Sequence, residues 1–454
     1  MIFGRKNNDE DEPDDDDEEE QEQVLFQGSL NGLDADLKKN AKLARAGLIP
    51  TKEIISDALS RRAHTVILEP KGARTAIRLV VDGIGYSGGA IPAKRGQAVT
   101  RMIKLLAGLD IQDRSNPQSG GIKVEFDEKP YELYIDSTPT KPGIERIGIR
   151  VQNMKKLLTL PADVDLSKDM KLKIRELATQ RSGIILICGP PESGTTTTSL
   201  VALHSIDSYL YTLFALGGIR EHLLTNVGLF EADPEHDLAT TIERIIRKEG
   251  ELLYLDPLVD EETARVVYEY NDKIAFICEM PVATPAEAIQ QMVEWLGDEA
   301  TASCLRAVMT QKLIRKLCVP CREAYRPNPK LLKKLGLPPE TKVLYREPSP
   351  PDEDDPEALS IEEMCADCDG MPYHGRVGVY ELIEITEGIK EVIMAGADPS
   401  EIRRQAAEEN MTTLQKDGLR HVAAGTTSLE ELQRAFSSDK PRRKAGKRRR
   451  RRPQ

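Results

Sequence analysis

The stretch GIILICGPPESGTTTTSL, residues 183–200, contains the pattern that decides the fold of this chain. An apolar run leads into Gly189, Gly194 follows five positions later, and the threonines after it open a segment with helical spacing. Strand, glycine-rich turn and helix N-terminus form the context in which backbone N–H groups bind phosphate. The stretch therefore predicts a nucleotide-binding loop made of Gly189, Pro190, Pro191, Glu192, Ser193, Gly194, Thr195, Thr196 and Thr197.

This predicted loop lacks its lysine. The pattern G-x-x-x-x-G-K-[ST] requires lysine after the second glycine, where this chain has Thr195, and Thr196 stands where a hydroxyl would ligate Mg²⁺. A threonine hydroxyl donates one neutral hydrogen bond where phosphoryl transfer needs a positive charge. We therefore expect ATP with Mg²⁺ as the ligand, with hydrolysis impaired; the alternative is a structural turn that only keeps the shape of the loop.

Apolar strands and helical segments alternate around the loop, from residue 183 to about 315. The segments GIILICG, LYTLFAL, ELLYLD and KIAFICEM are typical of buried strands, and such alternation predicts a mainly parallel sheet with helices on both faces. Short strand-like segments bounded by Gly and Pro fill residues 63–150. The fold class is therefore α/β, preceded by a smaller α+β domain.

Changes in composition and pattern set the domain boundaries. We divide the chain into a disordered acidic tail (1–28), a short helical N-terminal segment (29–60), an α+β domain (61–160), a linker (161–182), the α/β phosphate-loop domain (183–317), a cysteine-bearing insertion (318–368), a C-terminal helical region (369–436) and a disordered basic tail (437–454).

The charge of the chain is unevenly distributed. The net charge is −12, yet residues 9–20 are almost all acidic and the last stretch, KPRRKAGKRRRRRPQ, is almost all basic. No stretch approaches the roughly 18 consecutive apolar residues of a membrane span, and the N-terminus has no apolar segment of a signal peptide. We therefore expect a cytoplasmic protein. The KRRRRR run, 447–452, leaves contacts with nucleic acid or with anionic lipid open.

Four of the seven cysteines form two Cys-x-x-Cys pairs, Cys318 with Cys321 and Cys365 with Cys368. Each pair offers two sulfurs from one tight turn, and four thiolates suit a structural, tetrahedral Zn²⁺. Cys188, Cys278 and Cys304 lie in apolar segments and are expected to be core residues.

Several further segments resemble those of the type II secretion ATPase E / type IV pilus assembly ATPase family. They include LEPKGARTAIRLVVDG, RMIKLLAGLDIQDRSNPQSGG, MTQKLIRKLCVPCREAY, CADCDGMPYHGRVGVYELIEI and TTLQKDGLRHVAAGTTSLEEL. The resemblance covers roughly residues 60–436 and implies a two-domain ATPase of the RecA-like class. It implies ATP bound between the two domains with Arg78 and Arg150 reaching it, hexameric rings, and pilus or pseudopilus assembly at the inner membrane. A peripheral position at that membrane is part of this expectation.

Three motifs of the family depart from its pattern in this chain. Pro257 stands where the catalytic glutamate is expected, Phe214 and Ala215 replace carboxylates of the aspartate box, and Pro281 replaces the histidine of the histidine box. Together with the missing lysine, these changes predict a protein that has lost its catalytic groups, because each such group carries charge or a proton in phosphoryl transfer.

The remaining acidic residues of the second motif, Asp256, Asp260 and Glu262, are weak catalytic candidates. The first reading is a nucleotide-binding or structural ring subunit without hydrolysis, a partner of the secretion or pilus machinery. The second is an active secretion ATPase with a non-standard loop. The third is a nucleic-acid-binding module using the basic tail, although no specific nucleic acid is expected.

Overall fold

The structure, a computed structural model, describes residues 24–155, 164–217, 226–230, 236–337, 341–349, 365, 367–368, 370–396 and 398–437. The chain divides into two compact units, residues 1–157 (unit 1) and 158–454 (unit 2). Among the described residues, no helix combines the length and the apolar character that crossing a membrane requires.

Unit 1 is an antiparallel sheet with two helices. Its elements are β1 (Leu25–Ser29), α1 (Ala41–Ser60), β2 (Thr65–Lys71), β3 (Arg74–Val81), β4 (Ile84–Pro92), α2 (Ala93–Leu106), β5 (Gln118–Phe126), β6 (Lys129–Lys141) and β7 (Ile144–Asn153). The strand order is β1-β5-β6-β7-β2-β3-β4. Apolar side chains alternate along the strands, so that Val66 and Leu68 of β2 are fully buried, as are Val99 and Met102 of α2.

One feature of unit 1 differs from the sequence prediction. Residues 25–28, assigned to the disordered tail, belong to β1, which pairs with β5 antiparallel through Leu25–Ser29. The segment 29–60, predicted to be helical, contains α1, a helix of 20 residues. The tail prediction for residues 1–23 lies outside the described residues, and the remaining domain boundaries stay a prediction.

Unit 2 is an α/β unit. Its elements are α3 (Lys168–Ala178), β8 (Ile184–Cys188), α4 (Thr195–His204), β9 (Leu213–Leu216), β10 (Gly228–Phe230), α5 (Leu238–Arg247), β11 (Leu252–Leu255), α6 (Glu261–Tyr270), β12 (Ala275–Met280), α7 (Pro285–Leu296), α8 (Asp298–Cys304), β13 (Leu305–Leu317), β14 (Glu323–Tyr325), α9 (Pro329–Leu335), β15 (Leu344–Arg346), β16 (Tyr373–Glu384), α10 (Glu387–Met394), α11 (Pro399–Glu408), α12 (Leu414–Ala423) and α13 (Leu429–Ser437). The main sheet has the order β10-β9-β11-β12-β8-β13-β16, and β14 pairs with β15.

The main sheet of unit 2 is parallel, as predicted, except where β13 meets β16. β8 lies inside it and is buried on both faces. Ile184, Leu186 and Cys188 pack into one hydrophobic cluster, and Ile185 and Ile187 pack into a second. An uninterrupted apolar run fits this position because helices cover both faces of the sheet.

The region 369–436, predicted to be helical, begins with a strand. β16 pairs antiparallel with β13 over most of its length, from Tyr373 opposite Leu317 to Glu384 opposite Ala307. Helices α10 to α13 follow it. The strand closes one edge of the main sheet, so this region completes the α/β unit instead of forming a separate helical body.

Candidate functional site

The loop between β8 and α4 has the strand–turn–helix geometry predicted from its sequence. Gly194 immediately precedes α4 with φ +88°, a left-handed conformation that glycine adopts without steric cost. The Ser193 N–H donates to Pro190 O at 3.1 Å, and the Gly189 N–H donates to Met280 O at 3.2 Å. The loop is therefore closed on itself and attached to the end of β12.

A buried glutamine of β13 supports the loop from behind. Gln311 is 1% exposed, and its Nε2 donates to Ser193 O at 2.8 Å. The Ser193 hydroxyl is also buried, points toward Gly189 and has no hydrogen-bond partner among the described residues. An unpartnered hydroxyl inside the loop is a donor that an oxygen atom of a bound phosphate can use. The unpartnered Ser193 hydroxyl therefore suits an anionic ligand bound in this loop.

Glu192 brings a negative charge into the same loop. Its backbone has φ +66°, in the left-handed region that costs an ordinary residue roughly 1 kcal/mol, and its side chain is exposed. Its carboxylate would repel an anionic ligand that approached the loop. The loop therefore combines a strand–turn–helix geometry with an exposed negative charge.

A second carboxylate lies behind Thr196. Glu279 of β12 is 6% exposed, and its Oε2 accepts a hydrogen bond from Thr196 Oγ1 at 3.2 Å. Its Oε1 accepts one from the Tyr254 hydroxyl at 2.7 Å. Burial of a carboxylate is costly unless hydrogen bonds compensate it, and these two hydroxyls provide the compensation. The hydroxyl that would ligate Mg²⁺ is thus bound to a carboxylate of the chain itself.

Asp256, at the end of β11, belongs to the same acidic group. Burial raises the pKa of the Asp256 carboxyl to about 6, with the negative charge of Glu279 as the second cause. Burial, together with Glu279, also raises the pKa of Tyr254, so its phenol stays protonated and remains a donor. A carboxyl with a pKa near 6 exchanges protons at neutral pH, which a general base requires.

Four positions at which the family resemblance leads us to expect catalytic groups have other side chains in this chain. Ala215 is fully buried in β9, and the Phe214 ring packs edge-on against Phe230 with 6.1 Å between ring centroids. Pro257 and Pro281 are exposed and lie just beyond the ends of β11 and β12. None of these four side chains can carry a proton or ligate a metal ion.

Asp260 and Glu262 lie at the start of α6. The Asp260 carboxylate accepts the Thr263 N–H at 2.8 Å and so caps the helix. That hydrogen bond holds the pKa of Asp260 below its usual value. Glu262 is exposed in the first helical turn. Helix capping explains the presence of Asp260 at this position. A favourable interaction with the helix dipole explains the presence of Glu262.

Arg78 and Arg150 belong to unit 1. Arg150 lies opposite Thr65 and Arg78 lies opposite Ile67, so both arginines are on one face of the sheet, flanking β2. Both are exposed, and Arg150 is 3.7 Å from an oxygen of Asp136. Their contact with a nucleotide stays a prediction.

The four cysteines of the two Cys-x-x-Cys pairs come together. Cys318 Sγ lies 3.7 Å from Cys365 Sγ, and Cys321 Sγ lies 3.8 Å from Cys368 Sγ. All four sulfurs are within 4.8 Å of one another. A tetrahedral Zn²⁺ with bonds of about 2.3 Å places its sulfurs about 3.8 Å apart. The cluster therefore has the size of a four-sulfur zinc site.

The other three cysteines are core residues, as expected. Cys188, Cys278 and Cys304 are fully buried, and burial raises the pKa of the Cys304 thiol to about 12.

Three buried residues beside the loop, Glu279, Tyr254 and Gln311, are not among the site residues predicted from the sequence. The signal for two of them was present, because Glu279 and Gln311 are polar residues inside strands that are otherwise apolar, AFICEM and LRAVMTQKLIRKL. A buried polar residue in such a strand needs a partner and often marks a site. Tyr254 gave no such signal, because tyrosine is common in buried strands.

The sequence matches a known family. The family model described as Type II/IV secretion system protein matches residues 40–434. The chain is 26% identical over 399 residues to the type IV pilus assembly ATPase PilB of Myxococcus xanthus, covering 84% of this chain and 66% of that protein. It is 25% identical over 385 residues to the type II secretion system protein E of Xanthomonas campestris, with the same coverage of 84% and 66%. The chain thus spans about two thirds of the length of each of these two relatives.

The fold also matches a solved structure. The X-ray structure of the Legionella pneumophila ATPase DotB superimposes with a TM-score of 0.54 at 12% sequence identity, covering 86% of this chain and 96% of that one. At this identity the similarity shows a shared fold.

Proposed function

The chain belongs to the type II/IV secretion system protein family, and on that premise we propose that it is a nucleotide-binding or structural ring subunit with impaired or absent ATP hydrolysis. Its ligand would be ATP with Mg²⁺, held by the loop from Gly189 to Thr197. Its partners would be further ring subunits, in a hexamer, and the inner-membrane secretion or pilus machinery, with the protein cytoplasmic or peripheral at that membrane.

The hydrogen bond from Thr196 to Glu279 is the observation that carries this proposal. The Thr196 hydroxyl donates its proton to a buried carboxylate, so its lone pairs stay available to Mg²⁺ while the negative charge of Glu279 lies directly beside the loop. The incoming triphosphate then meets the charges of Glu279 and Glu192 without a lysine at position 195. Two unit charges about 4 Å apart near a protein surface repel by roughly 4 kcal/mol, enough to weaken binding and to raise the barrier to hydrolysis.

An active ATPase with a non-standard loop is the second candidate. The raised pKa of Asp256 favours it, since a carboxyl that titrates near pH 6 suits a general base. In this reading Glu279 and Thr196 would hold the metal ion. The third reading, a nucleic-acid-binding module, depends on residues 447–452, which lie outside the described residues.

Phosphate release from ATP by the purified full-length chain separates the first two candidates. We expect the wild type and Thr196→Ala to release phosphate at the same background rate, with or without a purified partner ring. Turnover above background that Thr196→Ala and Asp256→Asn both abolish would establish the second candidate. Mass photometry of the same samples measures whether rings form.

We further propose that Cys318, Cys321, Cys365 and Cys368 hold one structural Zn²⁺. The sulfur separations support this, and a closed four-sulfur site leaves no position for a substrate. Metal analysis of the purified chain should give about one zinc per molecule. Cys365→Ser should lose it, whereas Cys304→Ala, a buried cysteine elsewhere in unit 2, should retain it. Full zinc content in Cys365→Ser would refute the assignment.

A further inference from the structure

Unit 1 contains a cleft that the proposed function does not use. It is formed by the β2–β3 turn, one face of α2 and the start of β7, and it measures about 480 Å³ including its open mouth. Its lining includes two arginines, Arg101 from α2 and Arg114 from the loop before β5, and two hydroxyl-bearing residues, Thr75 and Thr100. The cleft is concave and combines small residues with converging polar groups, as ligand sites do.

The acidic residue of the cleft is already neutralised. Glu145 Oε1 accepts from Lys104 Nζ at 2.6 Å and from the Ser137 hydroxyl at 2.9 Å. Lys104 is fully buried, and its ammonium also donates to Asp113 O at 2.6 Å. Lysine and glutamate therefore form an ion pair that carries no net charge. The net charge of the cleft comes from Arg101 and Arg114.

Both arginines have hydrogen-bond donors that find no partner among the described residues. Arg101 Nε is buried and has no hydrogen-bond partner, and Arg114 makes no ion pair or side-chain hydrogen bond within the part of the chain that the structure describes. A buried donor without a partner is costly, and native structures rarely retain one without a purpose. Two guanidinium groups at one cleft match the oxygens of a phosphate group better than any neutral ligand.

We propose that this cleft is a binding site for a phosphate group, either free phosphate or the phosphate of a small phosphorylated molecule. Arg101 and Arg114 donate to its oxygens, and the neutral Lys104–Glu145 pair fixes the adjacent wall. The site is built entirely from unit 1 residues and shares no residue with the loop at Gly189. It therefore stands whether or not the chain binds ATP.

Calorimetric titration of the full-length chain at low salt tests the site, with inorganic phosphate and glycerol phosphate as two separate ligands. Tighter binding of one than of the other identifies free phosphate or a phosphate ester as the natural class. We expect Arg101→Gln and Arg114→Gln each to weaken binding about tenfold or more, since each removes a charge-assisted hydrogen bond. Lys94→Gln, which removes an exposed charge from the same helix outside the cleft, should change affinity less than twofold.

A variant of the phosphate loop separates this proposal from the proposed function. Thr196→Val should leave phosphate binding by the cleft unchanged. Absence of binding by the wild type, wild-type affinity in both arginine variants, or loss of binding in Thr196→Val would each overturn the proposal. Melting temperatures show whether the variants fold. If Arg101→Gln does not fold, Arg114→Gln is the decisive variant, because Arg114 is only partly buried.

Discussion

The pKa of the Asp256 carboxyl depends on its burial and on its neighbour Glu279. Its carboxyl keeps a proton up to about pH 6, because burial and the charge of Glu279 disfavour the ionised form. In the unfolded chain the same group ionises near its ordinary pKa of 3.8. The folded state therefore binds more protons between these values, and the stability that Asp256 contributes is lost as pH rises from about 4 to 6.

Asp256→Asn should gain stability relative to the wild type as pH rises from 4 to 7. The shift corresponds to at most about 3 kcal/mol, and we expect roughly half because solvent screens a partly exposed group. Urea unfolding of both proteins across this range measures it. Asp272→Asn, an exposed aspartate of the same unit, should show no such trend, and a flat difference for Asp256→Asn would contradict the environment described.

At the scale of an element, α6 tests what the second acidic motif does. Asp260→Ala removes the helix cap and should lower the free energy of unfolding by about 1 kcal/mol. Glu262→Gln, an exposed residue two positions later, should stay within about 0.5 kcal/mol of the wild type. Urea unfolding at pH 7 measures both. Equal effects of the two substitutions would show that the cap is not the role of Asp260.

The elements also show what sequence can and cannot predict. β8 was predictable because five consecutive apolar residues before a glycine-rich turn fit a strand buried on both faces. β16 was missed because its residues YHGRVGVYELIE mix polar and apolar types, and its strand conformation depends on pairing with β13. The contact of Glu279 with Thr196 joins residues 83 positions apart, and no local pattern encodes such a distance.

At the scale of the whole molecule, the cysteine cluster lies where two strand ends that are far apart in the sequence come together. Cys318 directly follows β13, and its N–H donates to Pro372 O at 2.9 Å, next to the start of β16 at Tyr373. A zinc ion there would hold together the end of the antiparallel pair that closes the main sheet. The spacing of the cysteines predicted that the four would come together, but not which strands they would join.

Removal of zinc should therefore destabilise unit 2 as a whole. We expect a strong chelator, or Cys368→Ser, to lower the melting temperature of unit 2 by several degrees or more, because bound metal contributes directly to folding free energy. Differential scanning calorimetry with and without added zinc measures the change. An unchanged melting transition after verified zinc loss would show that the cluster does not stabilise the β13–β16 pair.

The central claim is that Glu279, by binding the Thr196 hydroxyl and placing a carboxylate behind a loop without lysine, weakens nucleotide binding. The most direct test is a calorimetric titration of ATP with Mg²⁺ into wild type, Glu279→Gln and the exposed control Glu299→Gln. We expect Glu279→Gln to bind ATP about tenfold or more tightly than the wild type, with Glu299→Gln unchanged. Equal or weaker binding by Glu279→Gln would contradict the claim.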